Sequence, residues 1–233
     1  MAQTVSEGDD KWTSGLTEEI QFWETYVATR GGKWPEEFNQ RMNPNAPLGR
    51  DQRELINAPE GAQVEILDVG AGALTWLGKI WPGRTVHITA IDPLGHEYDR
   101  MLNQHDIHPP VRTIYGQAEE IVKDFGDDRF DMVFCRNAMD HSADPLKGIR
   151  NCLQAAKPGC SVLLHHFVNE AQSQQYNGLH QWNFDCRDGR FIIWSPQATI
   201  DVGKEVADLS DHVRAEIPVP NWHVAVLRKR GRV

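Results

Sequence analysis

The stretch from Val64 to Thr75, Val-Glu-Ile-Leu-Asp-Val-Gly-Ala-Gly-Ala-Leu-Thr, limits the possible folds of this chain more than any other. Its first half is apolar and β-branched, as in a strand buried on both faces. Its second half turns at Gly70 and Gly72 into residues that suit a helix. Glycines at such a turn let the backbone bend sharply and let a ligand lie against it, and a helix behind them would offer unpaired N–H groups. A strand that stops this way is the ligand-binding end of an α/β unit.

Two kinds of binder use this device. The dinucleotide fingerprint requires a third glycine, and Thr75 stands in its place. The run Asp68-Val69-Gly70-Ala71-Gly72, an acid, one residue and Gly-x-Gly, instead resembles the first motif of class I S-adenosylmethionine-dependent methyltransferases of the small-molecule type. The resemblance implies that Asp68, Gly70 and Gly72, with Ala71 between the glycines, hold the methionine part of S-adenosyl-L-methionine.

Further strand–helix units follow. The spacing predicts a helix over Leu74 to Trp81, stopped by Pro82-Gly83, and a strand from Val86 to Ile91 that ends in Asp92. Nucleotide-binding strands carry a ribose-accepting carboxylate about 20 residues past the glycine turn, and Asp92 occupies that place. Pro93 and Leu94 come next, where the family packs apolar groups on the adenine. Val111 to Tyr115 reads as a third strand. Gly116-Gln117-Ala118-Glu119 behind it resembles the family's third motif, with Gln117 in place of the usual acid. The amide oxygen of Gln117 can still accept from an adenine amino group, and Ala118 would contribute its backbone.

Phe130 to Cys135 is a fourth strand, and Arg136-Asn137-Ala138-Met139-Asp140-His141-Ser142-Ala143-Asp144-Pro145 after it is similar to the small-molecule methyltransferase pattern Asn-x-x-x-His-x-x-Asp-Pro. The resemblance places Arg136, Asn137 and His141 at the cofactor. Asp144-Pro145 opens a helix through Ala156, and Lys157-Pro158-Gly159 turns into a fifth strand, Ser161 to His165. Trp182 to Trp194 reads as an inserted hairpin with Asp188-Gly189 at its turn, expected on the substrate side with Tyr176, His180 and Asn183. Val213 to Val219 and Trp222 to Arg228 form the closing antiparallel pair.

The expected fold class is α/β, a doubly wound, mostly parallel seven-stranded sheet of the Rossmann-like methyltransferase type. A C-terminal antiparallel hairpin and a helical N-terminal segment complete it. Residues 1–14 are expected to be a disordered tail. Residues 15–60 form an N-terminal helical lid segment, with one helix capped by Thr17 and running to Thr29 and another over Pro35 to Arg41. The aromatic residues of this segment serve either core packing or closure over the cofactor. Residues 61–233 form the methyltransferase core, with the inserted hairpin at about 176–196.

The function expected is methyl transfer to a small molecule, at oxygen. Holding acceptor and methyl at attack distance in a dry pocket can supply up to roughly 7 to 11 kcal/mol of the barrier. A hydroxyl or ammonium acceptor must also lose a proton, which suits histidine. His141, His165, His166 and His180 all fall near strand ends, and His166 and His180 are the expected bases. Adjacent strand residues point to opposite faces, so His165 and His166 cannot both face the substrate. A metal-dependent mechanism would need converging carboxylates, and only Asp140 and Asn137 stand near, so no metal is expected.

The net charge of -9 disfavours a nucleic-acid partner. Cys135, Cys152, Cys160 and Cys186 show neither a C-x-x-C pair nor zinc-like spacing, and read as free thiols of a reducing compartment. With no membrane span and a polar amino terminus, the expectation is a soluble cytoplasmic protein, compatible with a homodimer. Two rival functions share the early motifs: an NAD(P)-dependent oxidoreductase and a noncatalytic S-adenosylmethionine-binding regulatory module.

Overall fold

The computed structural model describes residues 7–231. Residues 1–6 of the expected tail lie outside the described residues, and from Glu7 the chain is helical. Helix α1 (Glu7–Ala28) therefore contains Thr17 instead of being capped by it. Arg30, Gly31 and Gly32, all at positive φ, end it. Helix α2 (Pro35–Met42) places Pro35 in its first turn, where a missing N–H costs nothing, and a short α3 (Arg50–Leu55) follows.

The main sheet begins with β1 (Gln63–Val69) and β2 (Thr85–Asp92). Helix α4 (Gly95–Gln104), β3 (Thr113–Tyr115), α5 (Ile121–Phe125), β4 (Phe130–Arg136), α6 (Pro145–Ala155) and β5 (Ala156–Phe167) come next. The chain then runs through α7 (Glu170–Ser173), β6 (Asn183–Arg187), β7 (Arg190–Trp194), β8 (Thr199–Asp201) and α8 (Val202–Glu205), and ends in β9 (Ser210–Val219) and β10 (Trp222–Lys229). Seven strands lie in the order β3-β2-β1-β4-β5-β10-β9. The first five are parallel, and β10 runs antiparallel to both β5 and β9. The order reverses between β1 and β4, so the adjoining strand ends splay apart and leave the crevice where open α/β sheets take ligands.

Residues on both sheet faces are fully buried. Ile66, Met132 and Phe134 pack on one side, and Leu67, Val133 and Val162 on the other. That explains why β1, β4 and β5 read as continuous apolar runs without alternation.

The connection from β1 to β2 departs from the expectation. No helix forms between Leu74 and Trp81. The backbone there is committed elsewhere: Lys79 and Ile80 both donate to the carbonyl of Ala46, and Leu48 donates to that of Ile80. A side chain on Gly78 would lie 1.9 Å from the Pro47 carbonyl oxygen, so the 46–48 strap presses directly on this segment. Thr75 adds a local turn, accepting from the Leu77 N–H at 3.1 Å. Helices α1 and α2 cover this part of the sheet instead, with Trp23, Tyr26, Val27 and Phe38 packed on Leu74, Tyr98 and Met101.

β5 starts at Ala156, earlier than the predicted Ser161, and carries Gly159 at positive φ within it. The inserted hairpin forms with Asp188 and Gly189 both at positive φ, as a tight turn of that composition requires. A third strand, β8, extends it into a separate antiparallel sheet. Its position corrects the substrate-side expectation. Phe184, Phe191 and Ile193 belong to the same buried cluster as Val162, Leu164, Ala225 and Leu227, so the small sheet is a cover over β5 and β10. Among the described residues, no helix is long and apolar enough to cross a membrane. All four cysteines are free.

Candidate active site

A cleft of about 920 Å³, its mouth included, opens at the carboxyl ends of β1 to β4. Gly70 and Gly72 form its floor, Asp92, Pro93 and Leu94 one wall, and Gly116, Gln117 and Ala118 the far end. Asn137, Ala138, Met139 and His141 close the opposite side.

The floor is shaped by close approach. Gly70 and Gly72 both sit at positive φ. A side chain on Gly70 would lie 2.2 Å from the Ala138 Cβ, and one on Gly72 would lie 2.1 Å from the Trp23 ring. The N–H groups of Gly70 and Ala71 both donate to the Ile91 carbonyl, and that of Gly72 to Asp92 Oδ2 at 3.1 Å. With these donors turned inward and no helix behind them, the loop lacks the N–H array that cradles a pyrophosphate. This argues against the oxidoreductase alternative on a structural ground separate from the missing third glycine.

Asp92 is held by two backbone bonds, the one from Gly72 and another from the Leu94 N–H at 2.9 Å. Burial dominates its titration and pushes it up to about 6. A carboxylate fixed in this way at the end of β2 can accept from vicinal hydroxyls. Gln117 donates from its amide nitrogen to the Tyr115 hydroxyl at 3.0 Å, and Tyr115 stacks on His96. The amide of Gln117 is thereby oriented. Asn137, itself at positive φ, ties the end of β4 to that of β5 by donating to the His165 carbonyl and accepting from the Phe167 N–H.

Three of the residues expected at the cofactor do not line the cleft. Asp68 lies behind the glycine loop, almost fully buried, and accepts from the Thr75 hydroxyl. Burial raises it to about 7, and Arg41 works in the opposite direction. Ala71 is buried within the loop. Arg136 points to the other side of the sheet, where its guanidinium lies between the rings of Trp76 and Trp222, 3.8 and 4.8 Å from their centroids.

The predicted bases His166 and His180 both lie beside Asp140, His166 Nδ1 at 3.9 Å from Oδ1, but differ in exposure. His165 and His166 face opposite ways, as strand alternation demands: His165 stands by Asp51 and Trp222, His166 against Phe184. His166 is 1% exposed, neither ring nitrogen has a hydrogen-bond partner, and burial pushes it down to about 3. It borders neither the cleft nor the smaller cavity beside it, so the structure brings it to Asp140 and Phe184 and not to the cleft wall where a base was expected. His180 joins His141 and Asp140. Its Nδ1 lies 2.9 Å from Asp140 Oδ2 and 3.0 Å from His141 Nε2. Burial lowers the affinity of His180 for a proton, but the adjacent Asp140 carboxylate outweighs it and the net shift is upward. His141 borders both the main cleft and a smaller cavity lined by Gly15, Glu19, Phe22, Leu179 and His180.

Sequence reading missed Glu19, Leu179 and Glu170. Glu19 lines the cleft from α1 and accepts from Trp23 Nε1 at 2.8 Å, a spacing of four that marks one helix face. Leu179 reaches the cleft because Gly15 of α1 packs directly on the 178–179 backbone. The Glu170 carboxyl, raised to about 7 mainly by burial and then by Asp140, carried no local signal at all.

The reversed strand order, the carboxylate ending β2 and a glycine floor without a phosphate-binding helix belong to a Rossmann-like domain. Residues 67–164 match the family model for a methyltransferase domain. The chain is 25% identical over 161 residues to a ubiquinone biosynthesis O-methyltransferase of Pseudomonas aeruginosa, covering 63% of this chain and 68% of that protein. It is 25% identical over 149 residues to one of Alkalilimnicola ehrlichii, covering 58% and 60%. Among solved structures, a chain of the Haloferax volcanii complex between the Trm112 methyltransferase activator and a methyltransferase superposes with a TM-score of 0.54. Its identity is 12%, over 89% of this chain and 97% of that one. An O-methyltransferase family protein of Burkholderia thailandensis gives 0.51 at 13% identity, over 92% and 60%. These likenesses and the fold support a class I S-adenosylmethionine-dependent methyltransferase, with S-adenosyl-L-methionine as its methyl donor.

Proposed function

We propose that this protein transfers a methyl group from S-adenosyl-L-methionine to a hydroxyl of a small molecule. The observation that carries the reading is the cleft itself, which runs from the Asp92 carboxylate across the glycine floor to His141. When bound, the cofactor supplies an electrophilic methyl on a sulfonium.

The residues divide the work. Asp92 accepts from the ribose hydroxyls, Gln117 and Leu94 take the adenine, and Gly70 and Gly72 leave room for the methionine part. Asp68, behind the loop, acts as a positioning residue through Thr75. Helix α1 and Leu179 shut the mouth and exclude water, which favours a segment that packs on the core and covers the cofactor as well. The acceptor occupies the smaller cavity between α1 and His180, where the Asp140, His141 and His180 group assists loss of its hydroxyl proton. The names of the O-methyltransferase relatives support an oxygen acceptor, and four free thiols suit the reducing cytoplasm.

The test is transfer of labelled methyl to a panel of phenols, catechols and aliphatic alcohols. At least one acceptor is expected to be methylated at oxygen. The His180→Ala variant should turn it over about a hundredfold more slowly while binding the cofactor with unchanged affinity. Cofactor binding without transfer to any hydroxyl would favour the noncatalytic module.

A further inference from the structure

Asp140 Oδ2, His141 Nε2 and His180 Nδ1 form a triangle with edges of 2.9, 3.0 and 3.4 Å. Ring protons cannot satisfy it. Each edge would need one donor facing one acceptor, and the two imidazoles bring at most two protons to the three atoms. With both present, the nitrogens confront each other as two donors. With one present, an edge is left between two lone pairs. At most two of the three edges can be hydrogen bonds.

The same three atoms suit a cation. The circle through them has a radius of about 1.8 Å, so a centre about 2.0 to 2.1 Å from all three, the usual zinc–nitrogen and zinc–oxygen distance, lies about 1 Å off their plane. Tetrahedral ligands around such an ion stand about 3.3 Å apart and octahedral ones about 3.0 Å, the same range as the observed edges. A second observation points the same way. Asp140 is 1% exposed and its other oxygen, Oδ1, has no hydrogen-bond partner, its neighbour being His166 Nδ1 at 3.9 Å, while Glu170 Oε2 is also buried without one. Burying two carboxylates beside two imidazoles costs much less when a divalent positive charge lies between them.

We propose that Asp140, His141 and His180 form a binding site for one late first-row divalent cation, of which zinc is the best fit to two imidazoles and a carboxylate. This is the one group of three or more such residues with converging ligand atoms among the described residues. His180 and Glu170 lie beyond residue 164, outside the stretch that matches the methyltransferase domain model, so the site combines the β4 loop with an element particular to the chain after β5. Because His141 and His180 both border the smaller cavity, the cation would meet an acceptor's oxygen there. That use, though not the binding itself, rests on the methyl-transfer reading. The cation-bound hydroxyl would release its proton to solvent as the new oxygen–carbon bond forms, and the sulfonium sulfur would keep the electron pair of the bond that breaks.

The experiment uses the full chain, stripped with a chelator, dialysed and titrated with Co²⁺, whose ligand-field absorption reports a nitrogen-ligated site. One equivalent is expected to bind and one equivalent of Zn²⁺ to displace it. Asp140→Asn and His180→Ala should each weaken binding by about tenfold or more, and His141→Gln serves as a third variant if either fails to fold by circular dichroism. Calorimetry with S-adenosyl-L-methionine on the same stripped samples separates the two readings, since cofactor binding is expected to survive loss of the cation. Absence of saturable Co²⁺ binding by the wild-type protein, or binding unchanged in folded variants, would overturn the site.

Discussion

On the β1–β3 side of the cleft the surface is made by backbone, whereas on the side of the β4 loop and the chain after β5 it is made by side chains. Gly70, Gly72 and the N–H groups around Asp92 shape the first wall, and the N–H groups of Gly70, Ala71, Gly72 and Leu94 are all taken by Ile91 and Asp92 at the end of β2. Asp140, His141 and His180 shape the second, drawn from positions 40 residues apart and packed so that their polar atoms compete for too few protons. The difference teaches where each kind of information resides. A cofactor shared by many enzymes can be held by a local turn, but an acceptor must be met by groups that the tertiary fold assembles.

The largest effect that would sharpen this contrast is expected from Gly72→Val. The substitution needs a positive φ and drives a side chain into the Trp23 ring, so it should destabilise the protein by about 3 kcal/mol or more and abolish cofactor binding. Chemical denaturation and calorimetry would check both. A variant of near-normal stability would break the claim that backbone approach shapes this wall.

A second, smaller effect concerns pH. Burial raises free Asp92 to about 6, and ribose hydroxyls donate more strongly to its ionised form than to the neutral acid. Binding therefore favours the carboxylate, so affinity is greatest well above pH 6 and declines as the pH falls through about 6. Calorimetry across that range should show the decline in wild type and a flat response in Asp92→Asn. Equal slopes in the two proteins would remove Asp92 as the titrating group.

The contrast also explains what could be read in advance. The strand order, the glycine floor, Asp92 and Gln117 are local signals, each carried by a strand and the few residues after it. The helix expected over Leu74 to Trp81 failed because its backbone bonds to the 46–48 strap, a contact between segments about 30 residues apart that no window of sequence contains. Arg136 and His166 were misplaced for a related reason. Each sits at a strand end, but alternation and the packing of Trp76, Trp222 and Phe184 decide which face it meets. The pairing of Asp140 with His180 was illegible because the loop before β6 had no template to place it.

The smallest expected effect is His166→Phe. It exchanges an imidazole without hydrogen-bond partners, 3.9 Å from Asp140, for a ring of similar shape against Phe184, and should alter stability by less than about 1.5 kcal/mol. Methyl transfer should stay close to the wild-type rate. A loss as large as that expected for His180→Ala would return His166 to the reaction and erase the distinction between the two walls.

The most direct test of the account is titration of the wild-type protein and Asp92→Ala with S-adenosyl-L-methionine in the calorimeter. The account predicts saturable one-to-one binding by the wild type and an affinity at least about tenfold lower in the variant, or about 1.4 kcal/mol. No binding by the wild type, or the same affinity in both, would contradict it.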